Sequence, residues 1–192
     1  MSIARLAART VIGGLFIGHG TQKLLGWFGG PGPEGTEAMM ESLQLRPGKT
    51  HALLAGTTET VAGSLLAVGL ATPAAAAGLT GVMTTAIRKV HLPNGPWAAN
   101  GGWEYNVVLI AAMTALVDTG PGDLSLDHLL GIERRGPGWA LGALTLGVGT
   151  AAATMAIGRR GTAATTAATP SDDSAAAAAH GETAGDPTTK DS

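Results

Sequence analysis

Charged residues are spread very unevenly along this 192-residue chain, and four long stretches carry almost none of them. Residues 10–22, 105–117 and 136–158 contain no Asp, Glu, Lys or Arg, and residues 50–87 contain only Glu59. A bilayer core about 30 Å thick is crossed by about 20 mostly apolar helical residues. Because these lengths suit a bilayer, the charge pattern predicts helices that cross a membrane and argues against an ordinary cytosolic enzyme.

Five membrane-spanning helices are predicted from the four stretches, since Pro73 divides the longest of them at a position where a new helix can begin. The pairs Gly14/Gly18 and Gly138/Gly142 would let helix backbones approach closely in lipid. The competing interpretation is a buried soluble bundle, favoured by the modest mean hydropathy of +0.23. The expected fold class is all-α, a transmembrane helical bundle with spans at about residues 7–28, 52–70, 73–90, 104–116 and 139–157.

The composition also indicates how the chain is organised. Residues 1–131 are expected to form a four-helix membrane domain, and residues 132–160 to add a fifth transmembrane helix. Residues 161–192, rich in Ala, Thr and Asp, lack the large apolar side chains needed to order a segment, and we expect them to be disordered. Residues 37–45 predict a short amphipathic helix, either a lid or a connector resting on the membrane surface.

Two classes of chemistry are disfavoured by the whole-chain counts. The formal net charge of −2 offers no electrostatic footprint for nucleic acid. With no cysteine, the chain forms no disulfide, thiolate-ligated zinc site or iron–sulfur cluster. Redox chemistry would therefore need a bound cofactor or electrons from a partner protein.

Glu59 is the one carboxylate inside a long apolar stretch, which makes it the first candidate functional residue. Ionisable groups at that depth are costly and commonly pair with one another inside the bundle. At about 1.5 Å of rise per residue, Glu59 lies about 12 Å inward from His51 and His19 about 13 Å inward from Phe28. Lys23 follows one turn after His19, so both are expected to face Glu59.

Alternating loops place further polar and aromatic residues on the same side of the membrane, including His91 and Glu104. The tryptophans Trp27, Trp97 and Trp103 are either an interfacial belt or rings that stack on a flat ligand. A purely structural role is the alternative for each of these residues. Glu59 and Lys23 would then form a structural ion pair, and His19 would be a packing residue. Arg9 is expected to anchor the opposite side by pairing with Asp118 or Asp127.

Several ordered motifs resemble the DoxX family of small integral membrane proteins. They are GHGTQKLLGWFGG at residues 18–30, TTETVAGSLLAVGL at 57–70, KVHLPNGPW at 89–97, NGGWEYNVVLI at 100–110 and GPGDLSLDHLLG at 120–131. The resemblance implies a four-helix membrane bundle and an association with redox metabolism, because related proteins include the membrane subunit of thiosulfate:quinone oxidoreductases. Its polar motif residues fall here on Arg9, His19, Lys23, Glu59, His91, Glu104 and Asp127.

Taken together, the residues and the resemblance predict a multi-pass protein of the cell membrane that acts as a quinone-linked redox subunit. The expected catalytic residues are His19, Lys23, Glu59, His91 and Glu104, with Trp27, Trp97 and Trp103 as cofactor-binding residues. The alternatives are a non-enzymatic platform that docks redox or stress-response partners, a small-solute carrier, and a metal site built from His19, His91, Glu59 and Glu104. Homo-oligomer formation and membrane orientation stay open at this point.

Overall fold

The computed structural model describes residues 3–168, with side chains to residue 163, and this part of the chain is helical without any strand. The all-α prediction is confirmed. The helices are α1 (Ile3–Leu25), α2 (Gly32–Ser42), α3 (Gly48–Val68), α4 (Thr72–Ala86), α5 (Glu104–Thr119), α6 (Leu126–Leu129) and α7 (Pro137–Ala168).

Glycines in the left-handed region end two of the long helices. α1 stops before Gly26, whose φ of 70° only glycine adopts without strain, so the helix is shorter at this end than the predicted Phe28. α3 ends at Gly69, with φ of 68°, and the Leu70 N–H donates to the Leu65 carbonyl at 2.8 Å. This backbone pattern is a common helix stop.

The beginning of α4 is stabilised from a distant part of the chain. Pro73 lies in its first turn, as the sequence predicts. The Asp127 carboxylate accepts hydrogen bonds from the Ala71 and Thr72 N–H groups at 2.8 and 3.0 Å and from the Thr72 hydroxyl at 2.8 Å. These N–H groups have no partner within the helix, and a negative charge suits a helix N-terminus. Asp127 therefore serves as a remote cap.

α1 and α3 pack with their backbones in contact, through glycines other than the predicted pair. A Cβ on Gly13 would lie 2.5 Å from the Gly63 carbonyl oxygen, and one on Gly20 would lie 2.7 Å from the Gly56 carbonyl oxygen. Gly14 and Gly18, expected at a close contact, face open space, since a Cβ on either would meet nothing within 4 Å. The contact uses Gly13 instead of its neighbour Gly14. A shift of one residue along a helix corresponds to a rotation of about 100° around its axis.

The apolar core lies between α1, α3, α4, α5 and α7. Its fully buried members include Phe16, Leu66, Leu79 and Met113, one from each of the first four of these helices. α7 adds only small residues, Ala140 and Ala143. Small side chains on α7 allow it to lie close to the neighbouring helices.

Only α7, over Pro137–Ala163, is both long and apolar enough by composition to cross a membrane among the described helices. The other predicted spans fall short for visible reasons. α4 and α5 contain 15 and 16 residues, and α1 carries Arg5, Arg9 and Lys23. Of the five predicted membrane spans, one is met by a described helix that passes this test.

The C-terminal boundary differs from the prediction. α7 continues to Ala168, so residues 161–168 are helical although disorder was expected from residue 161. Alanine is the strongest helix former and nothing in GTAATTAA interrupts a helix already under way. The remainder of that predicted tail, residues 169–192, lies outside the described residues. The chain divides into two units at this end, residues 1–162 and 163–192, and every contact described below lies in the first.

Candidate functional site

A salt bridge between α1 and α3 is the centre of the candidate site. Lys23 Nζ lies 2.6 Å from Glu59 Oε2, and Glu59 is only 2% exposed. Lys23 Nζ also lies 3.5 Å from the His19 carbonyl oxygen. The predicted partnership of Lys23 and Glu59 is confirmed, and it places a charged pair among apolar helices.

His19 lies beside this pair but makes a different bond. Its Nδ1 is 3.1 Å from the Gln22 side-chain oxygen, one turn further along α1. The expectation that His19 bonds Glu59 directly is therefore not met. The imidazole is held by its own helix and stays available to a ligand.

One cavity of about 630 Å³ opens against these residues. Ligand sites of small molecules commonly have volumes of about 300–1,000 Å³ and mostly apolar walls with a few polar groups. Here α1, α3, α4, α5, α7 and the short helix α2 all contribute to the lining. The polar and titratable lining residues are His19, Lys23, His51, Thr58, Glu59, Thr85, Lys89, His91, Tyr105, Asn106, Thr150 and Thr154.

The helical period explains why α3 faces the cavity with one stripe. Its lining residues are spaced three and four apart, the spacing that puts side chains on one helix face. The stripe begins with a histidine and ends with a carboxylate, and apolar residues lie between them. Its members are His51, Leu54, Ala55, Thr58 and Glu59.

A π-helical segment brings two further basic residues to the same cavity. α4 continues through Ile87–His91 with π geometry, and both Lys89 and His91 line the cavity. Lys89 Nζ donates to the Leu43 carbonyl at 2.8 Å, and His91 Nδ1 lies 2.7 Å from the Gly101 carbonyl oxygen. π-helical turns are frequent at functional sites. Lys89 was not among the predicted catalytic residues. The sequence RKVH does not by itself indicate π-helical geometry.

Glu104 is not among the cavity residues, although it was predicted to be catalytic. Its Oε1 accepts a hydrogen bond from the Ala98 N–H at 2.7 Å, which fastens the loop before α5. The three tryptophans also lie outside the lining, with Trp27 56% and Trp97 64% exposed and Trp103 half-buried. Of the eight predicted site residues, the cavity brings together His19, Lys23, Glu59 and His91.

His51 belongs to the site and sequence reasoning used it only as a depth marker. It is 5% exposed, lines the cavity, and its buried Nδ1 has no hydrogen-bond partner. This nitrogen is enclosed by protein atoms, and the ring lies close to the Arg46 backbone. The sequence did contain a signal for this placement. His51 precedes Glu59 by eight residues, about two helical turns, which puts both on one face of α3.

The opposite end of the bundle is occupied by a structural network. Arg9 is 2% exposed and donates to the Ala67 carbonyl and, at 2.7 Å, to the Leu124 carbonyl. The prediction that Arg9 pairs with Asp118 or Asp127 is wrong, because Asp127 is engaged with the start of α4. One carbonyl at the end of α3 and one in the turn before α6 supply the acceptors instead.

Metal binding was one of the alternatives from the sequence. Within residues 3–168, no group of three or more His, Asp or Glu side chains is arranged to hold a metal ion. His19, His91, Glu59 and Glu104 do not form such a group.

Comparison with known proteins gives one positive result. The family model DoxX matches residues 4–92, the segment from α1 through the π-helical turn. This segment, somewhat less than half of the chain, is similar to the DoxX family. It contains Lys23, Glu59, His19 and His91, and DoxX proteins are helical membrane proteins. No curated protein and no solved structure matches the chain.

The cavity is built partly from helices inside the DoxX match and partly from helices that follow it. α1 to α4 and the π-helical turn fall inside it, whereas α5 and α7 lie beyond residue 92. The charged cavity residues all come from the matched segment. The later helices add Tyr105, Asn106, Thr150 and Thr154.

Proposed function

We propose that this protein is a multi-pass cell-membrane subunit that binds a quinone in the cavity and couples the binding to electron transfer from a partner protein. The observation that carries the proposal is the buried Lys23–Glu59 pair, 2.6 Å apart, in the wall of a mostly apolar cavity of about 630 Å³. A quinone is a flat apolar ring with two carbonyl acceptors. The cavity offers space for the ring and donors for the carbonyls.

The residues present fit such a ligand. Phe16 and Leu109 contribute apolar side chains to the cavity wall, and Tyr105 contributes a second aromatic ring. Lysine carries three N–H donors, and each histidine carries at least one. These features support a ligand that is apolar in its body and hydrogen-bonding at its edge.

Each charged residue then has a distinct role. Lys23, held between Glu59 and the His19 carbonyl, would donate to one quinone oxygen. Glu59 would hold or release a proton at Oε2, because reduction of a quinone requires two protons as well as two electrons. When bound, the quinone supplies the redox chemistry. The protein's own residues bind it, orient it and exclude water.

The test is quinone binding by the purified full-length protein in detergent, measured by equilibrium dialysis with decylubiquinone, a fully ring-substituted benzoquinone. We expect Glu59→Gln and His19→Ala each to weaken binding by about tenfold or more, equivalent to about 1.4 kcal/mol. Matched controls are Glu34→Gln at an exposed position of α2 and His128→Ala in α6, neither of which lines the cavity. Unchanged binding in both site variants would remove the assignment.

The platform alternative makes the opposite prediction. A scaffold needs a stable bundle but no ligand in the cavity. If the wild-type protein binds no quinone, while redox partners co-purify equally with wild type and Glu59→Gln, the platform replaces the proposal. A carrier for small solutes would instead show transport in vesicles that Glu59→Gln abolishes.

A further inference from the structure

α7 lies against the cavity although it is outside the segment that matches the DoxX model. Three of its residues line the cavity, namely Thr150, Ala151 and Thr154. They are spaced as one helix face, since residues three and four apart are neighbours. Ala151 is 1% exposed, so its side chain is enclosed between α7 and the rest of the bundle.

Two sets of close contacts fix this face of α7 in place. On one side of it, a Cβ on Gly147 would lie 2.7 Å from the Ala77 carbonyl oxygen, and one on Gly81 would lie 3.2 Å from the Gly147 carbonyl oxygen. α4 and α7 thus meet through small residues. The backbones are too close for α7 to be a loosely attached helix.

The second set of contacts lies beyond the cavity, towards the C-terminal end of α7. A Cβ on Gly158 would lie 2.9 Å from a Leu45 methyl carbon, and Met155 packs against the cluster of Met40, Leu45 and Ala52. Gly147 and Gly158 are about 16 Å apart along the helix, from 1.5 Å of rise per residue. The cavity-facing residues lie between these two anchored levels.

We propose that α7 is a fixed wall of the ligand site and that Ala151 and Thr154 limit the size of the ring that the cavity accepts. This inference rests on the proposed function, because it takes the ligand to be a quinone. Because Ala151 lines the cavity and is only 1% exposed, a larger side chain at this position must extend into the cavity or displace its neighbours. In a DoxX domain without this helix, the same side of the cavity would lack this wall.

The test compares decylubiquinone affinity in full-length variants that enlarge one α7 side chain. Ala151→Leu and Thr154→Leu project into the cavity, whereas Ala153→Leu lies on an exposed face of the same turn and is the matched control. We expect both wall variants to lose about tenfold or more in affinity. The control is expected to keep wild-type affinity.

A second measurement guards against a variant that merely folds poorly. Thr154→Ser keeps the hydroxyl and removes only a methyl group, so it is expected to bind at least as well as wild type and to favour a bulkier ring-substituted quinone. Wild-type binding in all of the enlarging variants would overturn the role of α7 and leave the proposed function intact. Failure of the wild type itself to bind a quinone would overturn the proposed function.

Discussion

Lys23 and Glu59 form one ion pair, yet their relations to solvent differ. The Lys23 side chain is 19% exposed and the Glu59 side chain 3%. A long lysine can move its ammonium group towards water while its methylenes stay on apolar surface. A short carboxylate on α3 has no such route. Loss of one partner should therefore have unequal consequences for the other.

A set of four proteins tests this asymmetry: wild type, Lys23→Met, Glu59→Gln and the double variant. We expect Lys23→Met to be the most destabilising, by about 3–5 kcal/mol, because it leaves a buried carboxylate without its cation. Glu59→Gln should cost less, and the double variant should be more stable than Lys23→Met. Thermal unfolding of the detergent-solubilised proteins measures the order. Equal losses in the two single variants would contradict the argument.

The contact between α1 and α3 shows how an element-level feature depends on one residue of register. Glycine-rich α1 predicts a close helix contact, and that expectation is met. The spacing pointed to the wrong face, because Gly14 and Gly18 are four residues apart, whereas the contact uses Gly13 and Gly20, which are seven apart. Only the position of α3 decides that Gly13 is inside and Gly14 outside.

Alanine substitutions at the two adjacent glycines test which of them lies in the helix contact. Gly13→Ala would place a Cβ 2.5 Å from the Gly63 carbonyl oxygen and 2.7 Å from the Ala67 nitrogen, so the helices must separate. Overpacking of this kind typically costs about 1–3 kcal/mol. Gly14→Ala meets nothing within 4 Å and should stabilise the helix by up to about 1 kcal/mol. Opposite shifts in the unfolding temperature are expected, and equal shifts would refute the packing.

At the scale of the whole molecule, polar groups are concentrated at the two ends of the bundle. The cavity end holds Lys23, Glu59 and three histidines, and the other end holds the Arg9 and Asp127 networks. Sequence could predict the helices and the Lys23–Glu59 pair from spacing and charge. It could not predict the partners of Arg9 and Asp127, which are backbone groups at helix ends. Nor could it show that Glu104 fastens the loop six residues before it, which depends on the local backbone turn, or that α7 lines the cavity, which depends on contacts distant in sequence.

The sides of the helices between these ends carry many exposed apolar residues, such as Val11 at 60%, Val108 at 61% and Leu141 at 61%. Soluble monomers rarely expose large contiguous apolar patches, and lipid would cover these side chains. Among the described helices, only α7 satisfies the composition criterion by itself, so a multi-pass arrangement stays a prediction. Helices that bury charged residues against one another need less hydropathy of their own.

Single cysteines introduced into this cysteine-free chain can decide the number of crossings. If α3, α4 and α5 each cross the bilayer, the loop before α3 and the loop before α5 lie on one side, and the loop after α5 lies on the other. Glu34→Cys and Asn100→Cys should then react with a membrane-impermeant maleimide from the same face of sealed vesicles. Leu130→Cys should react only from the opposite face or after detergent. Labelling of all three from one face would mean that α3, α4 and α5 do not each cross the bilayer.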